Sequence, residues 1–265
     1  MMLVIENVSK TFNRNSVNEK RALSNIHLSL KKGDFVVVIG SNGAGKSTLM
    51  NVVAGVFPVD EGKVYIDGED VTHKKEFQRA RYVGRVFQDP MAGTAPTMTI
   101  AENMAMAFRR GERRSLTSSL HRKNRERFRE ALRELELGLE DRMETKVGTL
   151  SGGERQALSL LMATFTEPKI LLLDEHTAAL DPKRAELILG LTKKIIERHH
   201  LTTLMITHNM EHALRMGNRL VMMHAGEIVI NLTQEEKGMM RVRDLIDAFE
   251  QVRGEKFADD RVVLG

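Results

Sequence analysis

Two glycine-rich stretches of the sequence carry the residue types that bind phosphate. The first is 40–48, GSNGAGKST, where glycines are interspersed with hydroxyl side chains and a lysine. The second is 150–156, LSGGERQ, where a serine and two glycines precede a segment with helical spacing. Glycine lets backbone N–H groups approach an anion closely, and the first turn of a helix presents unpaired N–H groups to it. Both stretches therefore predict an anion site, although one nucleotide does not need two from one domain.

The first stretch has the flanking elements that a P-loop requires. The apolar run 35–39 precedes it and predicts a strand buried in a parallel sheet, and 49–56 follows it and predicts a helix. In a P-loop the backbone wraps the phosphates of a nucleoside triphosphate, the lysine reaches the outer phosphates and the hydroxyl ligates Mg²⁺. Here the lysine is Lys46 and the hydroxyl is that of Ser47. The predicted nucleotide-binding residues are Gly40, Ser41, Asn42, Gly43, Ala44, Gly45, Lys46, Ser47 and Thr48.

Chemistry-bearing residues follow two further apolar runs. The run 170–173 ends in Asp174 and Glu175, and the run 204–207 ends at His208. An aspartate at a strand tip suits Mg²⁺ through its water shell, and the adjacent glutamate can act as general base on an attacking water. An isolated histidine is more often structural. At the carboxyl end of a strand in an open α/β sheet, where ligands bind, His208 is predicted to be functional.

The remaining segments predict the scaffold around these residues. Strands are expected at 3–8, 22–30 and 64–71, as an antiparallel flap, at 81–87, and in a closing hairpin at 220–230. Helices are expected at 156–166 and 242–249, with a loose tail after them. The charged segment up to 143 predicts an inserted helical unit, in which Phe128, Leu132, Leu135 and Leu139 recur at helical spacing. Candidate partner contacts or core residues in that unit are Met91, Met98, Met104 and Met106.

Composition limits the class of protein. The chain has 265 residues, 42% of them hydrophobic, which suffices for one large domain or a domain with a subdomain. It has no cysteine, which excludes disulfides and suits a reducing compartment, and its apolar runs are too short to span a bilayer. The first ten residues, MMLVIENVSK, do not have the pattern of a signal peptide and predict a strand. The net charge of +4 is compatible with an ordinary soluble surface or with an anionic partner.

Residues 2–250 resemble the ATP-binding cassette (ABC) family, because every family motif occurs in order. The P-loop is 40–48, Gln88 fits the Q-loop, 150–156 fits the signature, 170–174 fits Walker B and 178–181 fits the D-loop. The resemblance implies an α/β P-loop NTPase with a RecA-like, mainly parallel sheet, an antiparallel β subdomain and an inserted α-helical subdomain. It implies a single ABC ATPase domain over 1–250, with the core and β subdomain at 1–88 and 169–250, the helical subdomain at 89–168 and a tail at 251–265.

The resemblance also implies roles for the residues. Phe12 would stack on adenine, Lys46, Glu175 and His208 would be catalytic, and Asp174 would join Ser47 and Gln88 around Mg²⁺, acting through water. In this family two cassettes pack head to tail with two ATPs between them, and the signature of one copy covers the ATP of the other. The trans-acting signature residues would be Ser151, Gly152, Gly153 and Glu154. The implied cofactors are ATP and Mg²⁺.

A narrower resemblance concerns DEHTAALD at 174–181 and THNM at 207–210. Together with 217–220 these look like ATPase subunits of bacterial binding-protein-dependent importers for branched-chain and aromatic (tryptophan/tyrosine) amino acids. This implies a second ABC subunit, transmembrane permease subunits and, indirectly, an extracytoplasmic solute-binding protein, with no nucleic acid. The location implied is the cytoplasmic face of the membrane. Two alternatives stay open, an exporter ATPase and a non-transport ABC ATPase of translation or repair; the cargo and the role of His176 are not identified.

Overall fold

A computed structural model describes residues 1–111 and 119–263 of the chain. Residues 112–118 of the predicted helical subdomain and 264–265 of the predicted tail lie outside this description. The strands are β1 Leu3–Phe12, β2 Lys20–Leu30, β3 Phe35–Gly40, β4 Glu61–Ile66, β5 Glu69–Asp70, β6 Val83–Val86, β7 Ile170–Asp174, β8 Thr202–Ile206, β9 Arg219–His224 and β10 Glu227–Leu232. The helices are α1 Lys46–Ala54, α2 Glu76–Arg79, α3 Ile100–Phe108, α4 Arg122–Arg133, α5 Gly152–Thr164, α6 Pro182–His199, α7 Met210–Arg215, α8 Gln234–Met239 and α9 Val242–Val263.

The strands form two sheets, as the motif order predicts. A six-stranded sheet has the order β10-β9-β3-β8-β7-β6, with parallel pairing throughout except between β9 and β10. A four-stranded antiparallel sheet has the order β2-β1-β4-β5 and is the predicted flap. The mainly parallel core and the antiparallel sheet are confirmed. Because β3, β7 and β8 are parallel neighbours, their carboxyl ends meet at one edge of the sheet.

The core lies on both faces of the larger sheet. Alternate residues of β3 face opposite sides, so Val36 and Val38 pack with the antiparallel sheet and α1, whereas Val37 and Ile39 pack with the helices. Strands β7 and β8 divide in the same way. Their uninterrupted apolar sequences are explained by burial on both faces. The sheet therefore holds its edge residues on a rigid, close-packed layer.

Three α-helices, α3, α4 and α5, lie between β6 and β7 in the described chain. The predicted apolar face of this segment is confirmed, since its four residues are at most 1% exposed: Phe128, Leu132, Leu135 and Leu139. The methionines divide between two roles. Met104 is fully buried in the core, whereas Met91 is 39% and Met106 45% exposed. Met98 is half-buried. The three methionines that reach the surface therefore remain candidates for contact with a partner.

Three predicted helix bounds are wrong for identifiable reasons. The helix after the second glycine-rich stretch begins at Gly152 and ends at Thr164, not at 156–166, because Ser151 and Glu154 form a capping box. Helix α1 begins at Lys46 and ends before Gly55, whose φ of 82° breaks it. Helix α9 continues to Val263, so most of the predicted loose tail is helical. No helix in the described ranges is long and apolar enough to cross a membrane.

A buried guanidinium ties α1 to the loop before α2. Arg79 is 1% exposed, and burial lowers its pKa to about 10. Its Nη1 donates to the carbonyl oxygens of Val52 and Val53, at 2.7 and 2.9 Å, which end α1. Its remaining groups donate to the carbonyls of Thr72 and Lys74. One side chain thus satisfies carbonyls that the helix end leaves without partners.

We expect Arg79→Met to lower the free energy of unfolding by about 3–5 kcal/mol, because it leaves several buried carbonyl groups without a hydrogen-bond donor. The measurement is the urea denaturation curve followed by circular dichroism. The matched control is Arg81→Met, which removes an exposed guanidinium 3.5 Å from Glu69 and is expected to cost less than about 1 kcal/mol. Equal losses in the two variants would contradict the assigned role of Arg79.

Candidate active site

A cavity of about 280 Å³ opens at the carboxyl edge of the larger sheet, beside the antiparallel sheet. It brings together residues that are far apart in the sequence, from β1, the P-loop and the ends of β7 and β8. Its lining residues are Phe12, Lys20, Ala22, Asn42, Gly43, Ala44, Gly45, Lys46, Ser47, Thr48, Glu175 and His208. Ten of the predicted site residues are therefore neighbours here. Gly40, Ser41, Gln88 and Asp174 are outside this lining.

The first turn of α1 supplies the anion-binding groups. The first intrahelical bond runs from the Leu49 N–H to the Gly45 carbonyl at 2.8 Å, so the N–H groups of residues 46–48 have no acceptor in the helix. Gly45 has a φ of 98°, and a Cβ on it would lie 2.4 Å from the Ala22 carbonyl oxygen. Only glycine fits this position. The loop thereby aims unpaired donors and the positive end of the α1 dipole into the cavity.

The Lys46 ammonium lies within the loop and donates to the carbonyl oxygens of Gly40 and Ser41 at 2.9 and 3.0 Å. Lys46 is 6% exposed. Burial lowers its pKa, and the nearby carboxylates of Glu175 and Asp174 oppose part of that shift. A cation held beside two carboxylates is arranged to receive a polyanion with a metal ion between the groups.

The predicted general base and the predicted histidine are in direct contact. Glu175 follows β7 and His208 follows β8, and the two strands pair in parallel. His208 Nε2 lies 2.5 Å from Glu175 Oε1. Glu175 adopts a left-handed φ of 47° and its N–H donates to the Ile206 carbonyl at 3.1 Å. The backbone is thus turned so that the carboxylate faces the cavity wall shared with His208.

Asp174 is paired with a cation that the sequence reading overlooked. Its Oδ2 accepts from Arg85 Nη2 at 3.1 Å, and the same guanidinium donates to Asn51 Oδ1 at 2.7 Å. Both charged side chains are largely buried, with 14% of Arg85 and 15% of Asp174 exposed. Arg85 also lies over the Phe87 ring, 4.6 Å from its centroid. The only feature of the sequence that pointed to Arg85 is its position on a predicted strand, which proves to pair with β7.

The oxygen donors present suit Mg²⁺. The Ser47 hydroxyl lines the cavity, and the Asp174 carboxylate is close enough to influence the pKa of Lys46. In the described parts of the chain no cluster of three His, Cys, Asp or Glu side chains could bind a metal alone. Mg²⁺ is commonly held by few protein oxygens, water and substrate phosphates, so this donor set fits it. Gln88 is exposed after β6.

The cavity contains a second lysine, at the end beside Phe12. Phe12 packs edge-on against Phe57 at 5.2 Å between centroids and stays at the cavity wall. Lys20 pairs with Phe12 across β1 and β2, and its Nζ lies 3.4 Å from where a Cβ on Gly43 would stand. Sequence reasoning missed Lys20 and Ala22, because neither the polar segment 13–21 nor the start of the strand after it carries a motif. The pairing of Phe12 with Lys20 could have been predicted only if the register between β1 and β2 were known.

The second glycine-rich stretch does not line the cavity. The Ser151 Oγ accepts from the Glu154 N–H at 3.3 Å, and Glu154 Oε2 accepts from the Ser151 N–H at 2.8 Å. This capping box leaves the N–H groups of Gly152 and Gly153, and the proton of the Ser151 hydroxyl, outside the box. The guanidinium of Arg155 holds the preceding turn through the carbonyls of residues 147, 148 and 150. The second predicted anion cradle is therefore an ordered turn that lies apart from the cavity.

His176 is a buried link between Glu175 and α6. The side chain is 1% exposed, and its Nε2 lies 3.0 Å from Thr192 Oγ1. Because the Thr192 hydroxyl donates to the Ile188 carbonyl at 2.7 Å, the Nε2 of His176 is the donor. Burial, and then the nearby His212, lower the pKa of His176 to about 4. A neutral imidazole thus anchors the residue that follows the general base.

Comparisons with known proteins identify the family and the fold of the chain. A family model described as "ABC transporter" matches residues 23–178. The chain is 42% identical to a tyrosine transport ATP-binding protein of Clostridioides difficile, over 94% of this chain and 99% of that protein. It is 34% identical to a choline transport ATP-binding protein of Bacillus subtilis, over 86% of this chain and 56% of that one. The solved dimeric structure of the ATP-binding cassette MJ0796 bound to ADP and Pi superposes with a TM-score of 0.74 at 31% identity, covering 88% of this chain and 99% of that chain.

Lys20→Gln is expected to weaken ATP binding about two- to fivefold, because it removes one exposed cation from the phosphate-facing wall. The measurement is calorimetric titration with ATP. The matched control is Arg21→Gln, which removes the same charge from the adjacent, opposite-facing residue of β2 and leaves the affinity unchanged. Equal ATP affinities for the two variants would contradict the assignment of Lys20 to the site.

Proposed function

The chain belongs to the ABC transporter family and is an ATP-binding ATPase of that family, and from this membership we propose that it energises an importer of tyrosine or a similar aromatic amino acid. The observation that carries the cargo is the 42% identity to a tyrosine transport protein across 99% of that protein. The choline and sulfate/thiosulfate relatives reach only 34–35% identity, and they are covered over 56–90% of their length.

In the proposed reaction this chain positions the triphosphate and offsets its charge. The N–H groups at the start of α1 and the Lys46 ammonium bind the phosphates, and Phe12 stacks on the base. Mg²⁺ would be held by Ser47 and Gln88, with Asp174 acting through water, and would supply charge neutralisation between the outer phosphates. Phosphoryl transfer depends mainly on such positioning and charge stabilisation.

Glu175 is proposed to orient and deprotonate the attacking water. His208, 2.5 Å from that carboxylate, holds it at the end of β7 and donates toward the γ-phosphate when nucleotide is present. Lys46 gives up its contacts with the Gly40 and Ser41 carbonyls to the phosphates. Each of these groups lies at the carboxyl edge of the sheet, so the reaction needs little movement of the core.

The second anion cradle is proposed to act on the nucleotide of another copy. Ser151, Gly152 and Gly153 lie outside the cavity lining, yet present a hydroxyl proton and two free N–H groups. In a head-to-tail pair of chains they would contact the γ-phosphate bound by the partner's P-loop. Hydrolysis then removes the group that joins the two copies.

The proposed assembly adds permease subunits and an extracytoplasmic solute-binding protein. The chain would sit at the cytoplasmic face of the membrane as a peripheral subunit. Met91 and Met106 are exposed side chains of the helical segment and are the candidate permease contacts. Neither ATP chemistry nor this docking involves nucleic acid.

Transport in the host organism tests the cargo. Deleting the gene is expected to abolish uptake of labelled tyrosine and to leave choline uptake unchanged. The wild-type chain restores uptake on re-expression, and the Glu175→Gln chain does not. Unchanged tyrosine uptake in the deletion strain would reject the cargo, and retained intracellular tyrosine would favour an exporter.

Oligomeric state tests the composite site. Glu175→Gln with ATP and Mg²⁺ is expected to elute as a dimer in gel filtration, because ATP stays bound and is not hydrolysed. Adding Ser151→Arg is expected to abolish that dimer while ATP still binds to the monomer, because arginine fills the cradle. The control is Glu211→Gln, which changes an exposed glutamate on α7. That chain is expected to stay monomeric, because it keeps Glu175 and hydrolyses its ATP. A monomeric Glu175→Gln chain, or a dimer that persists with Ser151→Arg, would contradict the arrangement.

A further inference from the structure

Glu154 places an ionised carboxylate in the first turn of α5. Its Oε2 accepts from the Ser151 N–H at 2.8 Å, and its Oε1 lies 2.6 Å from Arg142 Nη1. Burial raises the pKa of this carboxyl, but the hydrogen bonds from Ser151 and Arg142 outweigh it and hold the pKa below its usual range. The side chain is 22% exposed, so water screens it only in part.

This carboxylate is an electrostatic problem for the proposed trans site. It is fixed to the backbone of Ser151, whose hydroxyl proton would meet the partner's γ-phosphate. A glutamine would close the same capping box without a charge. A glutamate instead places a negative group in the turn that must accept a polyanion, and like charges repel.

Arg142 comes from a different part of the chain and meets this carboxylate directly. It follows the short 3₁₀ helix Leu139–Asp141, and its N–H donates to the Leu139 carbonyl at 3.1 Å. Within the described residues, the ion pair between Arg142 and Glu154 is the salt bridge that joins the segment after this 3₁₀ helix to the turn 151–154. The guanidinium therefore offsets the carboxylate charge from the side that the capping box leaves open.

We propose that Arg142 is a positioning residue of the composite ATP site, which neutralises Glu154 so that the signature turn can accept the phosphate bound by a second copy of this chain. The proposal rests on the proposed function, since it needs a trans-acting signature. Arg142 itself touches Glu154 and not the nucleotide. Its effect on ATP-dependent association therefore runs through the charge of Glu154.

Removing the guanidinium has a calculable consequence. Arg142→Gln leaves an uncompensated carboxylate near each phosphate, and this weakens each site about threefold at moderate ionic strength. A symmetric dimer contains two such sites, so its dissociation constant rises about tenfold. High salt screens the repulsion and reduces the difference.

The experiment is a double-mutant cycle in the Glu175→Gln background, with ATP and Mg²⁺, read by sedimentation equilibrium. Arg142→Gln is expected to raise the dimer dissociation constant about tenfold when Glu154 is present. In the Glu154→Gln background the same change is expected to have no effect, because no charge remains to be offset. The control Arg125→Gln breaks a comparable ion pair, with Glu144, elsewhere in the helical segment and leaves the constant unchanged in both backgrounds.

Three results would overturn the role. They are an Arg142→Gln effect of equal size with and without Glu154, an effect that does not shrink between 0.1 and about 1 M salt, and no effect at all. The first would mean that Arg142 only supports local packing, and thermal denaturation of each variant would show the matching loss. A Glu175→Gln parent that fails to dimerise would reject the proposed function instead, before the cycle is read.

Discussion

The structure depends on a close backbone contact between the P-loop and the two sheets. A Cβ on Gly45 would lie 2.4 Å from a carbonyl of the antiparallel sheet, and one on Gly40 would lie 2.2 Å from the Met223 carbonyl of the parallel sheet. Glycine alone permits both approaches. The loop therefore lies tightly between the two sheets, and these backbone contacts fix the direction of the N–H groups at the start of α1. Glu175 and His208 are then aligned with that loop because β8 pairs in parallel with β3, and β7 in turn with β8, in one rigid layer.

Much of this arrangement could be predicted because the relevant signals are local. The apolar runs of β3, β7 and β8 each end directly in a chemical group, and parallel strands bring such ends to one edge. The flap, the parallel core and the buried face of α4 follow from periodicity in the same way. The helix starts were harder, since Lys46 and Gly152 belong to glycine-rich loops whose helical conformation depends on caps and tertiary contacts.

The missed residues share a different property, which is that the fold and not the local sequence brings each of them to its partner. Arg85 meets Asp174 across 89 residues, and Lys20 reaches the P-loop only through the register of β1 and β2. Arg142 and Glu154 are 12 apart and are separated by the short 3₁₀ helix Val147–Thr149, whose geometry has no sequence signature. Each pair is a charged contact decided by packing. Spacing rules do not describe such contacts, whereas coordinates do.

The capping-box turn lies outside the cavity that its own chain lines, and this has a genetic consequence. Under the proposed head-to-tail arrangement, a chain with a damaged P-loop still lends a sound signature turn, and a chain with a damaged signature still binds nucleotide. Each defective copy therefore spoils one of the two composite sites in any dimer that it forms with a healthy copy. Mutations at Lys46 or Ser151 would behave as dominant alleles in a cell that also expresses the normal gene, whereas mutations that merely unfold the chain would be recessive.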